Sequence, residues 1–223
     1  YASNKYDQTN GSGLSLELLN LETGISKTLY ESNNTSFDNG IPILETYDLA
    51  NGQVAAVFKE YWTDDDWIAS SELKIFCYDK VTGDITQPVQ TIGSLFSWSN
   101  DEKDYFIEQT GDGNIYIGFV DSDTSYAEDN SFNLKFVSFN ASNGSVTSIS
   151  ENRDLIQDMN FDPAMGFYDF ANKLNFDADL KTVTYASNKY DQTNGSGLSL
   201  ELLNLETGIS KTLYESNNTS FDN

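Results

Sequence analysis

LSLELLNLETG at 14–24, LKIFCYDKVTG at 73–83, LKFVSFNASNG at 134–144 and LSLELLNLETG again at 198–208 decide the fold class of this chain. Set in register on Gly24, Gly83, Gly144 and Gly208, they share a pattern. Leu14, Leu73, Leu134 and Leu198 stand ten residues before the glycine. Leu16, Ile75, Phe136 and Leu200 stand eight before, and Leu19, Tyr78, Phe139 and Leu203 five before. Alternating apolar positions describe a half-buried β-strand. Asn20, Asp79, Asn140 and Asn204, followed by the glycine, supply a hairpin turn in which glycine takes the positive φ. The apolar residues after each glycine, at 25–29, 85–89 and 146–149, form the return strand.

A second turn recurs upstream. Asn51-Gly52 precedes QVAAVF and Asp112-Gly113 precedes NIYIGF, each 31 residues before the later glycine; the third copy is degenerate, with DADL at 177–180 before KTVTYAS. Further apolar stretches, IPILETYDL, DYFIEQT and KLNF, lie ahead of these turns. Each unit of about 61 residues therefore holds four strands, A to D. The nearest approach to a helical pattern, 154–170, is broken by Pro163 and Gly166.

A longer repeat encloses the shorter one. Residues 1–39 and 185–223 are the same sequence letter for letter, 184 residues apart. Surface substitutions usually change stability by less than about 0.5 kcal/mol, so folding does not demand identity at every exposed Asn, Ser and Thr. Copying does: a tandem duplication, or a chain running into the next unit of an array. The natural object is expected to be longer than 223 residues.

Four short strands per repeat, at a repeat length above WD40 size, is the signature of a β-propeller blade. The expected fold is all-β: a propeller of four-stranded antiparallel blades, with three blades in each 184-residue super-repeat. The divisions are a partial blade at 1–39 (strands B, C and D), then blades at 40–100, 101–163 and 164–223. Three closures are open: a six-blade ring from two 184-residue units, an imperfect four-blade ring, or two chains completing each other. The first is favoured. TVTYASNKYDQTNGSGLSLELLNLETGISKTL at 182–213 is similar to blades of TolB-like and dipeptidyl-peptidase-type propellers. In these, a B strand ending near YxS leads to LYxxDLxTG. The resemblance implies a disc on which B–C and D–A loops share one face. The chain carries no hydrolase domain with its Ser, Asp and His, so the resemblance implies no peptidase activity.

Composition narrows the function. Thirty-five acidic residues against 12 basic leave a net charge of −23, a field that repels phosphate backbones and anionic lipid heads. Nucleic acid is excluded as a partner on this ground. No apolar run approaches the roughly 18 residues of a membrane span. With no histidine, the usual general base and the Ser/Cys triads are missing. The single cysteine, Cys77, has no partner for an internal disulfide and reads as a packed thiol.

The B–C loops read YWTDDDWIASS at 61–71, DSDTSYAEDNS at 121–131 and NKYDQTNGSG at 188–197; the D–A loops include GSLFSWSNDEK at 93–103 and ENRDLIQDMNFDPAMG at 151–166. Loops on a rigid scaffold gather binding residues. Tyr61, Trp62, Trp67, Trp98 and Tyr126 offer aromatic faces beside carboxylates, a combination suited to a sugar ring or a basic peptide. The same aromatics would also serve as packing between blades. Asp64, Asp66, Asp121 and Asp123 offer hard oxygen ligands suited to calcium, without EF-hand spacing; no other cofactor is indicated. The expected function is a non-catalytic propeller of a secreted or cell-surface protein that binds a glycan or peptide through its loop face. The alternatives are a structural tandem-repeat stalk or assembly module without a small ligand, and the regulatory propeller of a larger hydrolase. Self-association through the duplicated segment is a further expectation.

Overall fold

A computed structural model describes residues 1–7, 11–32, 43–63, 69–95, 105–121, 133–152, 174–191 and 195–216. These form fifteen β-strands, with one 3-10 turn at Ala50–Gly52 and no α-helix among them. Strands β1 (Ala2–Asp7), β2 (Gly11–Leu19) and β3 (Ser26–Ser32) make a three-stranded first sheet. The second sheet is β4 (Leu44–Asp48), β5 (Gln53–Thr63), β6 (Ala69–Asp79) and β7 (Ile85–Ser94). The third is β8 (Tyr105–Gln109), β9 (Ile115–Asp121), β10 (Asn133–Asn140) and β11 (Ser145–Asn152). The fourth is β12 (Leu174–Asp177), β13 (Thr182–Asp191), β14 (Gly195–Asn204) and β15 (Ile209–Ser216). Neighbours in each sheet follow sequence order, so every sheet is a meander, and no sheet closes on itself.

The turns behave as their residues dictate. Gly24, Gly83, Gly144 and Gly208 lie at φ between +66° and +71°. In each, the glycine N–H donates to the carbonyl of the Asn or Asp four residues back, at 2.8 Å. The side-chain oxygens of Asn20, Asp79 and Asn204 accept from backbone N–H groups two or three residues on. The upstream turn of the fourth sheet, which the sequence leaves degenerate, keeps the same geometry by other means. Register pairs Thr182 with Asn204 as it pairs Gln53 with Asp79, so Lys181 stands where Gly52 does. Lys181 is the one described non-glycine residue with positive φ, at 50°. Its carbonyl accepts from Leu205 N–H at 2.9 Å, as Gly52 accepts from Lys80.

The chain divides into two compact units. The first comprises Tyr1–Lys103, Asp112–Asn114 and Phe139–Val146. In it the first and second sheets pack face to face through Leu14, Leu16, Val54, Ala56, Phe58, Phe76 and Tyr78. The opposite face of the second sheet, with Ala55, Val57, Leu73, Ile75 and Cys77, is equally buried. The expectation of one buried face is corrected by this. Positions ten and eight before the turn glycine lie on one face, position five lies on the other, and the second sheet buries both. The third sheet's 140–144 turn, in this same unit, rests on β7, where Gln90 Nε2 donates to Gly144 O at 2.8 Å.

The second unit comprises Asp104–Gly111, Ile115–Ser138 and Thr147–Asn223. Its core is aromatic: Phe106, Phe136 and Phe176 form a triangle with centroids 5.4–5.5 Å apart, and Tyr116 lies 6.1 Å from Phe176. Gly118, paired with Phe106 across the ladder, makes room for that ring. A Cβ at Gly118 would sit 1.9 Å from Phe106 Cζ.

The two identical segments share one register, offset by 184, including the bulge at Leu16/Glu17 and Leu200/Glu201. Their burial differs, although Ser15 and its equivalent Ser199 are both buried. Leu16 is 1% exposed and Leu200 37%, whereas Leu21 is 89% exposed and Leu205 2%. The first copy buries the face carrying Leu14 and Leu16 against the second sheet. The second copy buries Ser199, Glu201, Leu203 and Leu205. Strand β12 pairs with β13 at Leu174–Asp177.

Gly118→Ala should lose about 2–3 kcal/mol in urea unfolding, since overpacking a filled core costs about 1–3 kcal/mol. Gly208→Ala should lose about 1 kcal/mol, from the left-handed backbone alone. Gly111→Ala, whose added Cβ meets nothing within 4 Å, should change stability by under about 0.5 kcal/mol.

Candidate functional site

Antiparallel meanders put alternate connections at alternate ends. In the second sheet Thr63 pairs with Ala69 at the β5–β6 end, and Glu72 pairs with Ser94 near the exit of β7. The β5–β6 connection and the departure from β7 thus share one end of the sheet. The glycine turns share the other, where Lys80 N–H bonds to Gly52 O. Tyr61 and Trp62 belong to β5 rather than to a loop, and their Cα positions lie across from Ser71 and Ser70. Asp121 is the last residue of β9. Trp67, Trp98, Tyr126, Asp64, Asp66 and Asp123 lie outside the described residues. Among the described residues, no group of three or more acidic or cysteine side chains could hold a metal ion, and no helix is long and apolar enough to cross a membrane.

Sequence reasoning missed a polar cluster at the first unit's sheet–sheet junction. Lys74 on β6 forms a close ion pair with Glu60 on β5, and its Nζ lies 3.2 Å from Glu72 Oε2. Tyr30 on β3 donates to Glu60 Oε2 at 2.9 Å, and Lys74 donates to the Tyr30 hydroxyl at 3.3 Å. The Lys74 ammonium also lies 5.7 Å from the centre of the Tyr30 ring. Glu60 is 2% exposed, and its Oε1 is buried with no hydrogen-bond partner among the described residues. The signal was legible only in part: Lys74 and Lys135 both stand nine residues before a turn glycine, on the face that the strand pattern assigned to solvent.

The electrostatics follow from this packing. Burial alone would lower the Lys74 pKa, but the bond and charge of Glu60, with Tyr30, more than offset it and hold the ammonium above its ordinary range. Burial, with the Glu60 charge, raises the Tyr30 phenol. Burial pushes the Cys77 thiol up to about 12, as befits an inert packed thiol. A mostly apolar cleft of about 310 Å³ opens between the first two sheets, lined by Leu16, Leu18, Leu29, Leu44, Ala56 and Phe76, with Glu17 and Thr46 among its polar residues and none of the cluster's side chains. The cluster holds a charge pair in place and crosslinks two sheets. It presents no nucleophile paired with a base.

No protein-family model matches the chain, and no curated protein matches it.

Lys74→Met should lower stability by about 3–5 kcal/mol, because it leaves the Glu60 carboxylate buried and uncompensated. The double variant Lys74→Met/Glu60→Leu should recover most of that loss in the same urea titration. The chain should also weaken in alkali. Tyr30, Tyr47, Lys74 and Cys77 all have folded pKa values above their ordinary ones. Their contributions are complete below the unfolded values, the lowest being 9.0 for Cys77, and fade as pH rises toward the folded ones. The urea midpoint should therefore fall steadily above pH 9.

Proposed function

We propose that this chain is part of a non-catalytic β-propeller of a secreted or cell-surface protein, with the end of the sheets opposite the glycine turns as its binding face. The observation that carries the reading is the second sheet. It is a four-stranded meander in sequence order, buried on both faces, with the preceding sheet on one of them. A blade inside a propeller has this arrangement. The packing of the first sheet on the second, and the Phe106–Phe136–Phe176 contacts in the second unit, support the same stacking of consecutive blades. In this reading, the blades are 40–100, 101–163 and 164–223, with 1–39 a partial blade, as in TolB-like propellers.

The ligand class follows from side-chain chemistry. Trp67, Trp98 and Tyr126, with Tyr61 and Trp62 at the end of β5, stand close in sequence to a dense set of carboxylates. They suit a glycan by stacking and hydrogen bonding, or a basic peptide by charge and cation–π contact. Asp64, Asp66, Asp121 and Asp123 are the proposed calcium ligands. A second reading, a structural module of a tandem array, is favoured by one observation: the identical segments bury different leucines, Leu16 in one and Leu205 in the other, as repeats stacked in line would.

A glycan array and a basic-peptide library, each run with and without calcium, test the first reading. Trp67→Ala and Trp98→Ala should abolish any binding found, with the melting temperature shifted by less than about 2 °C, as for surface substitutions. If both variants unfold, the tryptophans are packing between blades. If neither screen yields a ligand, the array reading stands in its place.

A further inference from the structure

The fourth sheet leaves uncovered the very face that its twin covers. On the first copy, Leu16 is buried against the second sheet, and Leu29 and Tyr30 pack on the same cluster. Lys27 Nζ reaches Asp84 Oδ1 at 2.7 Å and Thr82 O at 3.0 Å. Tyr30 joins Glu60 and Lys74. The equivalent residues on the second copy, 184 positions on, are Leu200, Lys211, Leu213 and Tyr214. All four are exposed, Tyr214 at 56% and Leu213 at 47%. Leu200 pairs with Tyr214, and Leu202 with Lys211, across the ladder, as Leu16 pairs with Tyr30 and Leu18 with Lys27. The exposed side chains are therefore presented in the same backbone register as the buried ones.

We infer that this face of β14 and β15 is a docking site for the β4–β7 sheet of a second copy of the chain. The occupant is named by the molecule itself: the same residues, in the same register, already show what they fit. Leu200 would enter the apolar surface of Val54, Ala56, Phe58 and Phe76. Tyr214 would donate to Glu60 beside Lys74, and Lys211 would pair with Asp84. The partner's own residues 1–32 occupy that surface, so docking is an exchange of one identical segment for another. Residues 33–43 tether the first copy to β4, at an effective concentration in the millimolar range. The intact chain therefore keeps its first copy docked when dilute, and exchange grows as concentration nears that range.

The count of two chains rests on the propeller reading. Without the three-stranded first sheet, the three four-stranded sheets of these 223 residues fall short of a closed ring of 4–8 blades, whereas two such chains that both exchange supply six. A symmetric pair of this kind closes and leaves neither face open. Each chain carries a charge of −23, so association should be read near 0.15 M salt, where the Debye length is about 8 Å.

The experiment uses the full chain. Leu16→Asp should undock the first copy and free the β4–β7 surface. At about 100 µM its mass by light scattering should move from 24.9 kDa toward twice that value, with the dimer fraction rising from under about a tenth to more than about half, since the millimolar tether no longer competes. Adding Leu200→Asp to Leu16→Asp should return it to monomer. Far-UV circular dichroism and the urea transition of 101–223 aromatic signals check that each variant remains folded. A gentler variant, Tyr30→Ala, gives the same comparison if Leu16→Asp does not fold. As a direct readout, a Leu16→Asp chain bearing Asp84→Cys is mixed with one bearing Lys211→Cys, and a short bismaleimide is added; buried Cys77 does not compete. A crosslinked pair is the expected result. No crosslink between the two chains, or a monomer at every concentration, would overturn the docking. Crosslinked chains that run on past the dimer would uphold the docking and sink the six-blade closure.

Discussion

Everything in this molecule depends on the stacking of one sheet upon another through opposite faces of its central strands. A lone four-stranded meander has two apolar faces and cannot shield both. In the first unit the second sheet meets this constraint with neighbours: Phe58, Phe76 and Tyr78 on one side lie under the first sheet, while Val57, Ile75 and Cys77 on the other are fully buried. At about 25 cal/mol per Å² of apolar surface, burial on two faces is the chief favourable term for so small a sheet. The turns then position the stack. Gly83 sits so close to β2 and β3 that an added Cβ would meet Lys27 Cδ at 3.0 Å and Leu18 Cδ2 at 3.1 Å, whereas Gly24, at the other end of the pattern, meets nothing.

The polar cluster of Tyr30, Glu60, Lys74 and Glu72 belongs to the same constraint. A sheet edge that carried only leucines could slide against its neighbour by one pleat. The Tyr30 phenol, desolvated beside Glu60 and Lys74 of the second sheet, accepts one registration, because any other takes its hydroxyl away from the buried Glu60 carboxylate. The same logic gives the uncovered face of the fourth sheet its specificity: Lys211 and Tyr214 demand partners, and Leu200 alone does not choose them.

Much of the fold was legible in residues. The strand and turn code before Gly24, Gly83, Gly144 and Gly208 led directly to fifteen strands in meanders, because alternation and turn chemistry are local properties of the chain. The site was less legible. Lys74 looks like a solvent-facing residue within an alternating strand, and only a second sheet laid over that face turns it into half of a buried pair. Lys181 hides the upstream turn of the fourth sheet, since a lysine does not announce a left-handed backbone. Tyr61 and Trp62 read as loop residues because the acidic run at 64–66 follows them, yet the ladder with Ser70 and Ser71 extends β5 to Thr63.

The duplicated segment separates the two kinds of information. YASNKYDQTNGSGLSLELLNLETGISKTLYESNNTSFDN by itself determines its strands, its hairpin, its bulge and its register, all of which are the same in both places. It does not determine which face is inside. Leu16 is core and Leu200 is surface; Leu21 is surface and Leu205 is core. Local structure follows from backbone sterics and turn residues that travel with the segment. Burial follows from which neighbouring sheet arrives on which side, and that only the tertiary structure decides.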